Sequence, residues 1–254
     1  MSKKYYIKKF KNNLQGETLQ RKTKIIIIVA LLIILGAVLV LEQSDIPGLE
    51  FLTHKNTTGI IGENDLGTVE KYIYGNPNAT KAIALITGIH PREKLAINPE
   101  IKAAKEFGNE TEDVKIIHYQ VNVTKDPKNY KKGRANGESL VHDFVNPDVT
   151  KSDANCVIIS HSHVEWYGEG YYLATPEMDN TSVKIAKKIN KTSDFGYYPR
   201  TGNESYKSTS AVLVSKPIAQ AGYPTFVYEI PENITKQDST DMTKELFKLM
   251  VKYS

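Results

Sequence analysis

The chain has 254 residues, 40% hydrophobic and 24% charged, which excludes wholesale disorder and collagen-like repetition and leaves room for one good-sized domain with an attachment. A single cysteine, Cys156, excludes an intrachain disulfide and any cysteine-built zinc cluster. The formal charge of +4 is uneven: residues 1–24 carry a net of +7 and the remaining 230 a net of −3, so the body has no electrostatic footprint for DNA or RNA.

Ile25 to Leu41 are 17 consecutive uncharged residues, IIIIVALLIILGAVLVL. As a helix they span roughly 25 Å, the short end of a bilayer crossing. A cleaved signal peptide is the alternative. The long basic flank, the length of the apolar run and the absence of a small-x-small site in LEQSDIPG favour an uncleaved anchor. Eight Lys/Arg within residues 1–24 keep that end in the cytoplasm, which places residues 42–254 outside. Eight Asn-x-Ser/Thr sequons agree, starting at Asn56, Asn78, Asn109, Asn122, Asn180, Asn190, Asn203 and Asn233. Composition alone would give about two, and all eight lie beyond the anchor, as expected of a glycosylated exterior domain.

Residues 42–66 read as a linker, with Pro47, several Gly and little periodicity. From 67 onward strand and helix patterns alternate. Thr68–Tyr74 alternates apolar and polar residues, and Ala82–Ile89 is an apolar run suited to a strand buried on both faces. Asn98-Pro99-Glu100 opens a helix. Val114–Val123 and Val157–Ser160 are strands, and Asp179–Asn190 is a helix. Ser208–Ala221 is a helix that Pro217 must kink or end. Thr225–Ile230 is a strand, and Thr240–Val251 a closing amphipathic helix. The fold class is α/β: a mixed, largely parallel central sheet flanked by helices over residues 67–254, preceded by one transmembrane helix.

Ligands of open α/β sheets bind beyond the carboxyl ends of the strands. There this chain places His90-Pro91-Arg92-Glu93, then His161-Ser162-His163, then Glu229 within TFVYEIP. A His and a Glu three apart in a turn can face one point, and His161 and His163 share one side of an extended chain. His90, Glu93 and one of the two later histidines make three nitrogen or oxygen ligands, the number a catalytic zinc site uses while leaving a place for water. Glu229 is then available as base. Iron, manganese or cobalt would also accept this donor set. Ser160 and Ser162 lie in no Gly-x-Ser-x-Gly elbow, which argues against a serine hydrolase.

TGIHPREKLAI resembles the first zinc motif of the M14 metallocarboxypeptidases and their relatives, the succinylglutamate desuccinylase and aspartoacylase group, in which a strand ends in Gly-x-His-x-x-Glu. ISHSHVEWYG resembles the segment with their third ligand, and PTFVYEIPEN the closing segment with their general base. The resemblance implies zinc ligands His90, Glu93 and His161, base Glu229, and Arg134 as stabiliser of the oxyanion. It puts His163 beside the site rather than on the metal. The Asn-Arg dipeptide with which carboxypeptidases grip a terminal carboxylate is absent; Asn136 and Arg200 are the candidate replacements. Tyr206, 23 residues before Glu229, matches a mobile family tyrosine. These assignments imply a zinc-dependent hydrolase of an amide bond, acting on an exterior or cell-wall peptide. A deacylase of N-acyl amino acids, and a non-catalytic glycosylated binding protein on the same scaffold, are the alternatives.

Overall fold

A computed structural model describes residues 57–199 and 209–254. They belong to one unit, His54–Ser254. The basic tail and the expected anchor, residues 25–41, lie outside the described residues, among which no helix is long and apolar enough to cross a membrane.

Eight strands form one mixed sheet in the order β1-β2-β4-β3-β5-β8-β6-β7. They are β1 Thr57–Asn64, β2 Gly67–Gly75, β3 Lys81–Thr87, β4 Val114–Val123, β5 Cys156–His163, β6 Tyr172–Thr175, β7 Gly196–Pro199 and β8 Thr225–Pro231. The four central strands, β4-β3-β5-β8, are mutually parallel. β2 and β1 add antiparallel on one side, and β6 is antiparallel to β8 on the other. Residues 57–64, part of the expected linker, are therefore the edge strand β1. Its sequence TTGIIGEN alternates poorly, Ile60 is exposed, and the register shifts between Ile60 and Gly62. What makes it a strand is the ladder offered by β2, not a pattern of its own.

The central strands are buried on both faces, as their apolar runs require. Ile83, Leu85, Ile116 and Ile158 face α1 (Asn98–Glu110), α4 (Asn180–Thr192) and α6 (Lys236–Tyr253), through Phe107, Ile185 and Phe247. Ala84, Ile86, Val157 and Ile159 face the opposite layer, built from α2 (Tyr130–Leu140), α3 (Asn146–Val149) and α5 (Lys216–Gln220). The whole is three layers, helix on sheet on helix.

In that second layer, a π-helical turn precedes each short helix: Val141–Val145 before α3, and Ala211–Ser215 before α5. The cause is proline. Pro147 and Pro217 enter the following helices without an N–H, so the regular ladder cannot run through them. The Leu213 carbonyl, four residues before Pro217, instead accepts from Asn146 Nδ2 at 2.8 Å. The helix expected at 208–221 is thus interrupted where Pro217 demands it.

Candidate metal centre

β3 has β4 on one side and β5 on the other, so the chain switches direction there, and the space beyond its carboxyl end is the topological site for a ligand. Gly88 makes the exit. Its φ is +81°, and a Cβ on it would lie 2.1 Å from the Val121 carbonyl oxygen, so only glycine fits. The turn then brings His90 under cover, and the Glu93 amide donates to the His90 carbonyl at 3.0 Å.

Two imidazoles converge on one carboxylate. His90 Nδ1 lies 2.8 Å from Glu93 Oε1, and His161 Nδ1, from the end of β5, lies 2.9 Å from Glu93 Oε2. The two rings are 4.4 Å apart, and one ligand atom from each of the three residues falls within 4.8 Å of the others. Two more groups come from α2. Arg134 Nη1 donates to Glu93 Oε1 at 2.7 Å, and Glu138 Oε1 lies 3.2 Å from His90 Nε2. Gly137 allows this: a Cβ there would be 1.8 Å from the Ile89 carbonyl oxygen, so α2 rests directly on the backbone that leads into His90.

The charges of the cluster follow from these contacts. Burial pushes the Glu93 carboxyl up, but the facing His161 and His90 outweigh it and hold it well below the usual carboxylate range. Burial lowers His90, yet its bonds to Glu138 and Glu93 raise it above the ordinary histidine value. Burial likewise pushes Glu138 up, and His90 and Thr209 bring it below normal. Two imidazoles and two carboxylates are therefore held in contact, with Nδ1 of each ring turned to Glu93 and Glu138 behind His90. Nδ1, Nδ1 and a carboxylate oxygen are a donor set that fits a divalent cation of the zinc type. Glu138 on the far nitrogen of His90 is the carboxylate that fixes ring orientation in such sites.

Glu229 is in register with His161 across the β5–β8 pair, so both side chains emerge on one face. It is 6% exposed and lines the same cavity of about 340 Å³ as His90, Glu93, Arg134 and His161. Tyr130 also lines it, with Arg92 and Arg134 at 5.7 and 5.4 Å from its ring centroid. Neither Glu138 nor Tyr130 stood out in the sequence. The available signal was their spacing from Arg134, four residues after and four before, which is one helical face.

Two of the remaining candidates meet backbone carbonyls. Asn136 does not reach the cavity: two residues on from Arg134 along a helix, it points elsewhere and its Nδ2 donates to the Lys125 carbonyl at 2.8 Å. His163 lines the cavity, but its two nitrogens face the carbonyls of Val164 (3.1 Å) and Gly170 (2.9 Å), so it fastens a loop instead of offering a free group to substrate. Arg200 and Tyr206 lie outside the described residues.

No family model and no curated protein matches the chain. Solved structures do. One, assigned as a carboxypeptidase from Burkholderia mallei, superposes with a TM-score of 0.56 at 15% identity, over 80% of this chain and 66% of its own. Another, assigned as a carboxypeptidase A from Shewanella denitrificans, gives 0.53 at 14% identity, over 77% of this chain and 64% of its own. A succinylglutamate desuccinylase from Silicibacter sp. matches at a TM-score of 0.44 and 11% identity, over 77% and 65%. The chain thus spans just under two thirds of the length of these structures. The likeness is one of fold: the domain has a carboxypeptidase-like α/β fold.

Proposed function

We propose that the protein is a membrane-anchored, zinc-dependent hydrolase of an amide bond, carboxypeptidase-like, with its site outside the cell and a peptide as its substrate. The observation that carries this is the convergence of His90 Nδ1, Glu93 and His161 Nδ1 from the ends of two neighbouring strands, in one cavity with Arg134 and Glu229. His90, Glu93 and His161 would hold the ion, which when bound polarises the scissile carbonyl and lowers the pKa of its water to about 7.

The chain's own groups do the rest. Glu229 takes a proton from the attacking water and delivers it to the amine nitrogen as the C–N bond breaks. Arg134 has five N–H donors, so it can keep Glu93 in place with one and turn others to the developing oxyanion. Glu138 holds His90 so that Nδ1 faces inward. The walls bury the cluster, which strengthens each of these charge interactions.

The exterior location rests on the apolar run 25–41 with its basic flank, and on the sequons. Asn78, Asn109, Asn122, Asn180 and Asn190 are all exposed, as glycan acceptors must be, which supports this reading.

The test is metal content and turnover of the full chain in detergent. About one zinc per chain is expected, absent from a His90→Ala/His161→Ala variant. Glu229→Gln should keep the metal and lose roughly 10²–10⁴-fold in kcat. A fully active Glu229→Gln protein would sink the mechanism.

A further inference from the structure

The loop after β5 presents a chemistry that the hydrolytic centre does not use. His163 gathers its two ends, since the Val164 and Gly170 carbonyls lie at 3.1 and 2.9 Å from the two nitrogens of one ring. Tyr172 packs against that ring at 5.2 Å. Between the fastened ends, Trp166 is 86% exposed and Tyr167 49%, with their rings edge to face at 6.3 Å. A fixed loop that leaves its largest apolar side chain in water presents a contact surface. Trp166 and Tyr167 line both the metal-centre cavity and a second, shallower hollow.

The charge of that hollow identifies what it would take. Glu165 and Glu169 line it together with His163, whose ring is turned to the Val164 and Gly170 carbonyls, and among the described residues no Lys or Arg does. Glu165 is held in place by Asn233 Nδ2 at 2.7 Å. The arginines of the neighbouring cavity, Arg92 and Arg134, are gathered instead on Tyr130. An anion would be repelled from the loop, and a neutral ring has only hydroxyls to donate to the two carboxylates and no charge for them to neutralise. A cation gains from both, because tryptophan offers the best π face for a positive charge and the carboxylates neutralise it.

We propose that residues 164–170 form a subsite for a cationic group of the substrate, an amine or guanidinium that stacks on Trp166 and is matched by Glu165 and Glu169. The inference rests on the hydrolase reading only for what molecule carries the cation. It makes the preferred substrate a peptide with a basic residue near, but not at, the scissile bond.

Trp166 is the chain's one tryptophan, so its fluorescence reports this loop alone. The probes are tripeptides of alanine in which each position in turn is lysine or norleucine, titrated into the full-length Glu229→Gln protein. At one position the lysine peptide should change Trp166 emission and bind roughly tenfold tighter than its norleucine partner. The preference should shrink with added salt and vanish in a Glu165→Gln/Glu169→Gln background. Equal binding of the two peptides at every position would overturn the proposal, as would a preference that survives the double substitution. A response to neutral saccharides and not to lysine peptides would also overturn it. Because the readout is binding, absence of turnover in the wild-type protein would refute the hydrolase reading and leave this result standing. Turnover without a lysine preference would refute the subsite alone.

Discussion

Glu93 and Glu100 are seven residues apart and both are withdrawn from water, yet their carboxyls are driven in opposite directions. Glu93 stands beyond the end of β3, facing His90, His161 and Arg134, and its carboxyl is held below the normal range. Glu100 lies on α1 against the other face of the sheet, where it meets hydroxyls: Ser160 Oγ donates to Oε2 at 2.9 Å, and Thr243 Oγ1 is at Oε1. Burial pushes its pKa up to about 8, against which the two hydroxyls pull only weakly. Thr243 has one proton, and the Ser239 carbonyl at 2.8 Å is placed to take it, so a protonated Glu100 completes the set by donating to Thr243. The other titratable side chains facing Glu100 are Tyr171 and Tyr228, and burial pushes both hydroxyls up, so they too stay neutral. Ser160 and His161 are adjacent on β5 and point to opposite faces, so one strand serves both environments. The difference teaches that burial alone neutralises a carboxyl here; charge survives only where the strand ends gather cationic groups and, on the reading proposed, a metal ion.

That contrast can be broken by substitution. The largest effect belongs to Glu93→Gln, which removes the carboxylate while keeping the shape. Zinc affinity of the full chain should fall by more than about a hundredfold, with turnover, as read by metal content after dialysis; retention of one zinc per chain would contradict the ligand assignment. Glu138→Gln keeps the three ligands and weakens only the group orienting His90. Competition with a chelator should show a loss of roughly 10- to 100-fold in zinc affinity, with turnover recovering at saturating zinc. An unchanged affinity would mean that Glu138 is no more than a neighbour.

On the neutral side the effect falls on folding stability and not on the metal. Glu100 has a raised pKa in the folded chain, so the native state holds a proton that the unfolded chain releases above about pH 4.5. Its stabilising share is complete below that value and is lost as pH rises towards about 8. Glu100→Gln, which can still donate and accept, should remove that slope: urea unfolding of the wild type relative to the variant should weaken by about 1.4 kcal/mol per pH unit across that window. Parallel pH profiles would show that Glu100 is charged in the native protein. Zinc binding should be unaffected, which separates this carboxyl from Glu93.

Much of this was legible in the sequence because the groups concerned are local. Val114–Val123 reads as a strand from its composition and is β4 to the residue, and His90-x-x-Glu93 meets through a single turn. The edge strands β1 and β7, and the four-residue β6 beside β7, carried too little pattern, being defined by the partners that accept them. Helix α2 was hidden by Gly133 and Gly137, which lower helix propensity.

The sequence by itself determined the apolar strands of the parallel core and the metal-type residues at their ends, because periodicity and composition act over a few residues. Only the tertiary structure decided what surrounds those residues. Gly137 lets α2 rest on Ile89, which turns Arg134 and Glu138 inward and Asn136 away. The fastening of His163 to two carbonyls, and the neutrality of Glu100, likewise depend on chain segments brought together in space. The charge state of a buried group is set by those neighbours and by the water they exclude, and neither is written in the residues beside it.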